Sequence, residues 1–288
     1  MKSIRDFGVV PANAPDVNKA NLQTAMDWAS PRGAALYVEP DAEPYRLTGG
    51  VVLRMNVSLI GAHGPVGRGT KHPTKSQPVG SVIATEDENE PLLIAEHATQ
   101  VRGIQFWYPK QTLTDPGKVI PYPPTIQASR TNTAQGVTLS CLTFYGEYVA
   151  MDFNCSPTVI CEQLVIEHCR GYPLSGEFVR IDHCYDVPRI LHCHVNPANM
   201  RFFASGFSKK VIDAVVARGS FAYAIDHTGP SAFTSSAIAT STGTGRSRKG
   251  RSPPTPGRAW PTCTPSSSKA RDTRRSRTSR RSAATTPR

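Results

Sequence analysis

The segment from residue 4 to residue 61 decides the fold class, and it reads IRDFGVVPANAPDVNKANLQTAMDWASPRGAALYVEPDAEPYRLTGGVVLRMNVSLIG. Residues 22, 25, 26 and 29 are apolar at helical spacing, which predicts a short helix. Asp16 or Asn18 can supply the N-cap oxygen of this helix. Leu36–Val38 and Val51–Leu53 are β-prone runs bounded by Gly and Pro, so strands are expected after the helix. We expect the helix to cover the open end of a stack of strands.

Strand-like apolar runs continue to about residue 227, separated by Gly, Asn and Pro. The most regular part lies between residues 137 and 197, where His-Cys pairs begin at His168, His183 and His192, with spacings of 15 and 9 that sum to 24. Stacked repeats of this length are typical of a solenoid. The Pro-rich interval 112–133 predicts a long loop that projects from one turn.

This order of elements resembles the pectate-lyase-like superfamily, in its branch of rhamnogalacturonase and epimerase-like N-terminal domains, which are similar to glycoside hydrolase family 28. The residues that carry the resemblance are Asp6-Phe7-Gly8, Gln23, Ala25, Ala29, Pro40 and Tyr45. The Gly-Asp-Gly and Pro-x-Gly turns of the family are replaced here by residues 11–14 and 40–43. The resemblance implies an all-β fold, a right-handed parallel β-helix (a solenoid) with a short N-terminal capping helix.

The positive charge of the chain belongs to its C-terminal end. The whole chain has 33 basic and 22 acidic residues, a net charge of +11. Residues 234–288 hold 13 Lys and Arg against the single acid Asp272, and 41 of these 55 residues are Ser, Thr, Pro, Lys or Arg. Such a segment buries too little apolar surface to offset chain entropy, which predicts a disordered C-terminal tail. Residues 1–233 are nearly neutral and are long enough to form one β-helix domain.

Three interpretations of the tail remain open. The abrupt loss of the β pattern is typical of a shifted reading frame in GC-rich DNA. The tail could also be an inert solvated segment, or a basic segment that contacts phosphates. We do not expect nucleic acid to be the partner. The frame-shift interpretation implies that the 1–233 domain is truncated.

No apolar run approaches the length of about 20 residues that a membrane span requires, so no membrane contact is expected. Residues 1–5 lead directly into the domain without the apolar region of a signal peptide. As it stands, the sequence predicts a cytoplasmic protein. The alternative is that the recorded start lies downstream of the true one, since the superfamily is often secreted.

Six of the seven cysteines lie between residues 141 and 193, close to several histidines. A zinc site would need Cys-x-x-Cys or His-x(3–5)-His spacing, and neither is present. The favoured interpretation is that the cysteines stack as small apolar side chains inside the solenoid. Disulfides are the third alternative. We therefore expect no metal and no cofactor.

Glycoside hydrolysis needs two carboxyl groups that face a common groove, and polysaccharide β-elimination needs a base together with a cation that neutralises the uronate. A β-helix can align such groups because adjacent strands lie about 4.8 Å apart. The polygalacturonase signatures Asn-Thr-Asp, Asp-Asp, Gly-His-Gly and Arg-Ile-Lys are absent, and His63 lies too near the N-terminus to replace the third. The candidate catalytic residues are Glu167, Asp182, Asp186, Arg189 and His194.

His192 and His194 alternate on one strand and therefore share a face. With Asp186 nearby they could form a small metal or catalytic cluster. The resemblance offers a similar Tyr-Asp-x-x-Arg-Ile segment at residues 185–190, where it looks more like a turn-and-surface signature. In the structural alternative, Asp186 forms an ion pair with Arg189.

Trp107, Tyr108 and Tyr145 could stack against sugar rings, although they could equally pack inside the protein. The resemblance therefore implies a carbohydrate-active protein, either a glycoside hydrolase or a polysaccharide lyase acting on pectin-like polysaccharide, with a polysaccharide or oligosaccharide as partner. The alternatives are a non-catalytic carbohydrate-binding or tailspike-like structural module, and an inactive truncated member of the family. The expected oligomeric state is a monomer or a homotrimer.

Overall fold

The computed structural model describes residues 1–64, 70–155, 158–196, 208–218 and 223–225, which all belong to one compact unit, Met1–Gly245. Strands in parallel sheets predominate among its secondary-structure elements. The predicted boundary at residue 233 and the predicted disordered tail at 234–288 lie outside the described residues. Neither of the two α-helices in the described part of the chain has the length and hydrophobicity that crossing a bilayer requires.

The N-terminal elements are a short strand, a 3-10 helix, an α-helix and a second 3-10 helix: β1 (Lys2–Ser3), Ile4–Phe7, α1 (Pro15–Ala29) and Ser30–Arg32. Helix α1 begins at Pro15, whose missing N–H group costs nothing in the first turn, and its N-cap residue is Ala14. The prediction of Asp16 or Asn18 as N-cap was therefore wrong. Leu22, Ala25, Met26 and Ala29 are buried, as their spacing predicted.

The longest sheet, which we call sheet I, has seven parallel strands. In spatial order they are β1, β2 (Ala35–Val38), β5 (Ser58–Gly61), β10 (Gln100–Arg102), β14 (Thr138–Ser140), β18 (Val165–Glu167) and β22 (Arg189–Leu191).

Sheet II and sheet III have six strands each, and sheet IV has three. Sheet II consists of β3 (Tyr45–Leu47), β8 (Val82–Thr85), β11 (Gln105–Trp107), β15 (Thr143–Tyr145), β19 (Arg170–Gly171) and β23 (His194–Val195). Sheet III consists of β4 (Val51–Leu53), β9 (Leu93–Ala95), β12 (Ile126–Ala128), β16 (Met151–Asn154), β20 (Val179–Asp182) and β24 (Tyr223–Ile225). Sheet IV consists of β13 (Ala134–Gln135), β17 (Cys161–Glu162) and β21 (Cys184–Tyr185).

The remaining described elements are an antiparallel hairpin, a 3-10 helix and an α-helix: β6 (Thr70–Lys71) with β7 (Pro78–Val79), Pro116–Lys118 and α2 (Lys209–Ala217). The hairpin lies between β5 of sheet I and β8 of sheet II. Ser208 caps α2 by accepting a hydrogen bond from the backbone N–H of Lys210. Val211 and Val215 of α2 are buried against the core.

From β2 onward the chain visits sheets I, II and III in the same order, circuit after circuit, and later circuits add a sheet IV strand before returning to sheet I. Each strand pairs in parallel with the corresponding strand of the next circuit. The register places similar apolar side chains of successive strands over one another, so that the inward side chains form columns. In sheet I the column begins Leu36, Leu59, Val101 and Leu139, and in sheet II it contains Tyr45, Ile83, Phe106 and Phe144.

Two predicted features of the repeat differ from the structure. His168 and His192 occupy equivalent turns, because Ile166 pairs with Ile190, 24 positions later. His183 lies in another turn, between β20 and β21, so the spacings of 15 and 9 are not themselves repeats. The interval 112–133 is not one loop, since β12 lies within it and pairs with β9 and β16. The prolines are confined to the part before β12.

Candidate functional site

The predicted catalytic residues lie on three different sheets and one turn. Asp182 ends β20 in sheet III, while Glu167 and Arg189 belong to the neighbouring strands β18 and β22 of sheet I. His194 begins β23 in sheet II, and Asp186 lies in the turn between β21 and β22. The structure therefore brings Glu167 and Arg189 onto adjacent strands and does not gather the five residues around one groove.

The two predicted aspartates have different surroundings. Asp182 is buried, with Oδ1 accepting a hydrogen bond from the backbone N–H of His183 at 2.8 Å and Oδ2 lying 3.3 Å from Nδ1 of the same residue. Asp186 is exposed and has a left-handed backbone conformation (φ 53°). Among the described residues it forms no ion pair with Arg189, so the predicted salt bridge is not present.

Polar and aromatic side chains instead converge on the outer face of sheet II. Because successive side chains of a strand point to opposite faces, the inward column of Ile83, Phe106 and Phe144 turns the flanking residues outward. They form two cross-strand rows. The first row contains Val82, Gln105, Thr143, Arg170 and His194, and the second contains Arg46, Ala84, Trp107 and Tyr145.

Hydrogen bonds tie the first row to the chain segment that leads from β5 to β8. His63 Nε2 lies 2.9 Å from Thr143 Oγ1, and Gln105 donates from Nε2 to the carbonyl of Val79 at 2.8 Å. The Tyr145 hydroxyl of the second row donates to Gln105 Oε1 at 3.3 Å. The described ends of this segment therefore lie against the outer face of sheet II and contribute to the burial of Gln105 and Thr143.

The electrostatics of the face favour a neutral imidazole beside a permanent cation. Burial lowers the pKa of His194, and the adjacent positive charge of Arg170 lowers it further. Burial likewise lowers the pKa of His63. Both rings are therefore neutral at pH 7 and can accept a proton. Burial raises the pKa of the Tyr145 hydroxyl well above its usual value, so that this group stays protonated.

The three aromatic residues predicted for sugar stacking differ in exposure. Trp107 is half-buried on the outer face of sheet II, whereas Tyr145, its partner in register, is only 2% exposed. Tyr108 points away from this face and is buried, with its hydroxyl 2.7 Å from Thr125 Oγ1 and its ring 4.7 Å from that of Tyr122. Of the three, Trp107 has the most accessible ring.

Sequence reasoning missed Gln105, Thr143, Arg170 and His63 as members of this face. A signal existed for the first three. Gln105-Phe106-Trp107 and Thr143-Phe144-Tyr145 repeat a polar–Phe–aromatic pattern, and His168-Cys169-Arg170 aligns with His192-Cys193-His194. No comparable signal marks His63, which was set aside for its closeness to the N-terminus. It reaches Thr143 across 80 positions of sequence.

All six cysteines between residues 141 and 193 are buried free thiols. Five of them belong to the apolar core, which confirms the interpretation that they pack as small hydrophobic side chains. Cys161 and Cys184 stack in register on β17 and β21, and the hydrogen bond between the two thiols, together with burial, raises the pKa of Cys161. Within the described ranges, no group of three or more His, Cys, Asp or Glu side chains is arranged to hold a metal ion.

The solved structures that resemble this chain are distant from it in sequence. No protein-family model matches the chain, and no curated protein matches it. One similar solved structure is a "putative glycosyl hydrolase" from Parabacteroides merdae, with 12% identity, a TM-score of 0.43, and coverage of 80% of this chain and 92% of that one. Another is the tailspike protein of Acinetobacter phage vB_ApiP_P1, with 11% identity, a TM-score of 0.35, and coverage of 67% and 42%.

Proposed function

We propose that sheets I, II and III are the faces of a right-handed parallel β-helix and that the protein is a carbohydrate-active member of the pectate-lyase-like type. The repeated order of sheets and the in-register parallel pairing of successive circuits support the helix. Right-handed crossover is the general rule for connections between parallel strands. The stack of like residues in each sheet is what a solenoid requires.

The proposed reaction is β-elimination on a uronate-containing, pectin-like polysaccharide at the outer face of sheet II. One observation carries it: Arg170 and His194 are Cα partners on adjacent strands, so a permanent cation stands beside a neutral imidazole. The guanidinium has five donors, enough to bind a uronate carboxylate while keeping other contacts. Arg170 would thereby stabilise the negative charge that develops next to the carboxylate.

In the proposed step, a neutral ring nitrogen of His194 takes the C5 proton of the uronate. The electron pair of that C–H bond forms the C4–C5 double bond, and the bond from C4 to the glycosidic oxygen breaks. The leaving oxygen takes a proton from water. A base with a pKa near or below neutrality suits this step, because it is unprotonated at the working pH. Trp107 would contact another sugar ring of the same chain.

Hydrolysis receives less support from the geometry. Glycosidases place two carboxyl groups within about 5–10 Å on opposite sides of the scissile bond. The predicted carboxylates Glu167, Asp182 and Asp186 lie on sheet I, sheet III and a turn, and none lies on the outer face of sheet II.

A non-catalytic carbohydrate-binding module is the second candidate, and one observation favours it. Arg170 is only 9% exposed and Thr143 only 2%, so the polar row has little access to solvent. A face covered in this way can still bind sugars through its half-buried rim, at Trp107, without presenting a base to a polymer.

The test is an elimination assay on the full chain with polygalacturonate and with rhamnogalacturonan. Elimination yields an unsaturated uronate that absorbs in the ultraviolet, whereas hydrolysis yields only new reducing ends. We expect ultraviolet-absorbing product from one of the two polymers, with His194→Gln lowering kcat by about 10²–10⁴-fold. Loss of the base should also remove the acidic limb of the pH–rate profile.

His192→Gln is the matched control, because His192 lies two positions away and stacks on His168, with ring centroids 5.0 Å apart, outside the face of sheet II. Its activity should equal that of the unsubstituted protein. Thermal unfolding of each variant separates loss of chemistry from loss of fold. Equal activity in the His194→Gln variant would refute the assignment of the base. Binding of polymer without any product would favour the second candidate.

A further inference from the structure

Two neighbouring circuits each place a cysteine at the turn from sheet I to sheet II. Cys169 lies between β18 and β19, and Cys193 lies between β22 and β23. The strands on both sides of these turns are in register, since the last residues of β18 and β22 pair with each other and so do the first residues of β19 and β23. Cys169 and Cys193 therefore occupy equivalent positions in adjacent circuits.

The contacts of the two sulfur atoms show the same equivalence. Each Sγ lies near the carbonyl oxygen of the residue two positions earlier, at 3.3 Å in Cys169 and 3.5 Å in Cys193. Each also lies near the carbonyl oxygen of the inward residue of the preceding sheet I strand, Leu139 at 3.7 Å for Cys169 and Ile166 at 4.0 Å for Cys193. Leu139 and Ile166 are themselves Cα partners, so the two sulfur atoms repeat one position at the spacing of adjacent strands.

This stacking suits a covalent bond between the two side chains. A disulfide joins cysteines whose Cα atoms are about 4.4–6.8 Å apart and whose Cβ atoms do not point away from each other. Equivalent positions on adjacent strands lie about 4.8 Å apart. Both side chains belong to the apolar core and so point in the same direction. Rotation about their Cα–Cβ bonds can therefore bring the sulfur atoms together with little movement of the strands.

The two thiols differ in how readily they ionise. They hydrogen-bond to each other, and this bond lowers the pKa of Cys193, although burial opposes it. Burial, together with the same hydrogen bond, raises the pKa of Cys169. Cys193 is therefore the member of the pair that more readily forms a thiolate, which is the form that attacks a disulfide.

We propose that Cys169 and Cys193 are a site of reversible disulfide formation, which links two neighbouring circuits beside the Arg170–His194 pair. The oxidant is a low-molecular-weight disulfide. The Cys193 thiolate attacks one of its sulfur atoms, and the other sulfur leaves as a thiolate that takes up a proton. The Cys169 thiol then loses its proton and attacks Cys193 Sγ, which releases the second half of the oxidant as a thiol. Two protein thiols are thus oxidised to one disulfide, while one small disulfide is reduced to two thiols.

The place of this bond gives it a structural consequence. Cys169 immediately precedes Arg170, and Cys193 immediately precedes His194, so the bond would hold together the two strands that carry this pair. The inference does not rest on the proposed reaction, because the cross-link forms whatever chemistry the face of sheet II performs. The two cysteines are only 1% and 3% exposed. Exchange therefore requires local opening and should take on the order of minutes to hours.

The test treats the full, folded chain with 2-hydroxyethyl disulfide and then blocks the remaining thiols with N-ethylmaleimide in denaturant. Cleavage after Arg, Lys and Glu places Cys169 in the peptide 168–170 and Cys193 in the peptide 190–201, each as the only cysteine of its peptide. We expect to recover these two peptides joined, with a mass that is two hydrogen atoms less than their sum. Dithiothreitol should separate them.

The cross-link should also raise the midpoint of thermal unfolding by about 5–10 °C, because it closes a loop of about 24 residues in the unfolded chain. Cys193→Ala should abolish both the joined peptides and this rise. Cys161→Ala is the matched control, since it removes a buried thiol of the other in-register pair, Cys161 and Cys184, and should leave the joined peptides in place.

Three results would overturn the proposal. The first is recovery of the peptides 168–170 and 190–201 as separate, blocked species after oxidation. The second is a disulfide that joins either peptide only to another cysteine. The third is an oxidant-dependent rise in the unfolding midpoint of Cys193→Ala as large as that of the unsubstituted chain. Peptide mapping of the unsubstituted chain decides the first two outcomes even where a variant does not fold.

Discussion

At the scale of single residues, Glu147 is the most unusual ionisable group in the described structure. Its carboxyl group is fully buried. Oε1 accepts a hydrogen bond from the backbone N–H of Tyr172 at 2.5 Å, and Oε2 has no partner among the described residues. Gly171 makes room for it, because a Cβ atom there would collide with Oε1 and with the ring of Phe178. Burial raises the pKa of Glu147 to about 8, so the group is protonated at pH 7.

We predict that Glu147 makes the protein less stable as the pH rises. The unfolded chain loses this proton near pH 4.5, whereas the folded chain keeps it to about pH 8. The free energy of unfolding should therefore fall between these two pH values, by up to about 5 kcal/mol, and level off above pH 8. Glu147→Gln keeps the size and the acceptor and removes the titration. Its stability in urea should change less with pH than that of the unsubstituted protein.

Glu162→Gln serves as the control for Glu147, since Glu162 is only partly buried in β17. The stability of the Glu162→Gln variant in urea should change with pH as that of the unsubstituted chain does. If Glu147→Gln also retains the full loss of stability between pH 5 and pH 8, the proton on Glu147 is not its source. Tyr108 and Tyr145 feel the charge of Glu147, but burial keeps both hydroxyls protonated across this range.

The burial of a side chain can be predicted from the sequence when it depends on the pattern of its own strand. The inward positions of Leu36, Val38, Val51 and Leu53 follow from alternation and were readable in the sequence. The burial of Glu147 could not be predicted from the sequence, because it depends on Gly171, which belongs to the next circuit. A carboxylate in a Gly-Glu-Tyr stretch reads as a surface residue, and only the three-dimensional stack removes it from water.

At the scale of elements, helix α1 is held in place by a buried polar residue rather than by the cap that its sequence suggests. Asn18 accepts from the backbone N–H of Val10 at 3.0 Å and donates to the carbonyls of Val10 and Arg46 at 2.9 and 3.0 Å. It thereby joins the helix to the preceding loop and to β3. A helix predicted from its apolar stripe was confirmed, but the partner of its polar residue could not be read from spacing.

We predict that Asn18→Ala lowers the free energy of unfolding by about 2–4 kcal/mol, because it leaves buried backbone groups of Val10 and Arg46 unpaired. Urea denaturation measures this loss. Asn21→Ala is the matched control, since Asn21 lies on the same helix and donates an exposed hydrogen bond to the carbonyl of Gly8. Its cost should stay below about 1 kcal/mol. Equal costs for the two variants would mean that the Asn18 contacts do not fix α1.

The candidate site could also be predicted from the sequence only in part. The 24-residue spacing of the His-Cys pairs matches the pairing of β18 with β22. The same spacing relates Arg170 to His194, so their proximity could have been predicted from the sequence. The segment between β5 and β8 was not predictable in this way. It lies outside the repeat, and its contacts with sheet II run from His63 to Thr143 and from Val79 to Gln105. Insertions between repeats carry no periodic signal, so their positions follow only from the structure.

At the scale of the whole molecule, each strand of sheets I to IV in the described part of the chain pairs only with the strands of the neighbouring circuits. Stability in such a stack is approximately a sum of terms for circuits and for the interfaces between neighbours. Phe144 contributes to the interface on both sides, since its ring stacks on Phe106 at 5.3 Å and meets Phe178 edge-on at 5.6 Å. A local defect at Phe144 should therefore act on its neighbours first and on distant circuits least.

We predict that Phe144→Ala lowers the free energy of unfolding by about 3–5 kcal/mol, through lost apolar contact and a residual cavity. In hydrogen exchange, amides of β11, β15 and β19 should lose the most protection, while those of β2 and β5, two circuits or more away, should keep most of theirs. Val52→Ala is the control, because Val52 lies on β4 at a half-buried position, where the cost should be smaller. Uniform loss of protection in Phe144→Ala would show that the sheets unfold as one cooperative unit. Protection lost in a gradient away from β15 would instead establish nearest-neighbour coupling between circuits.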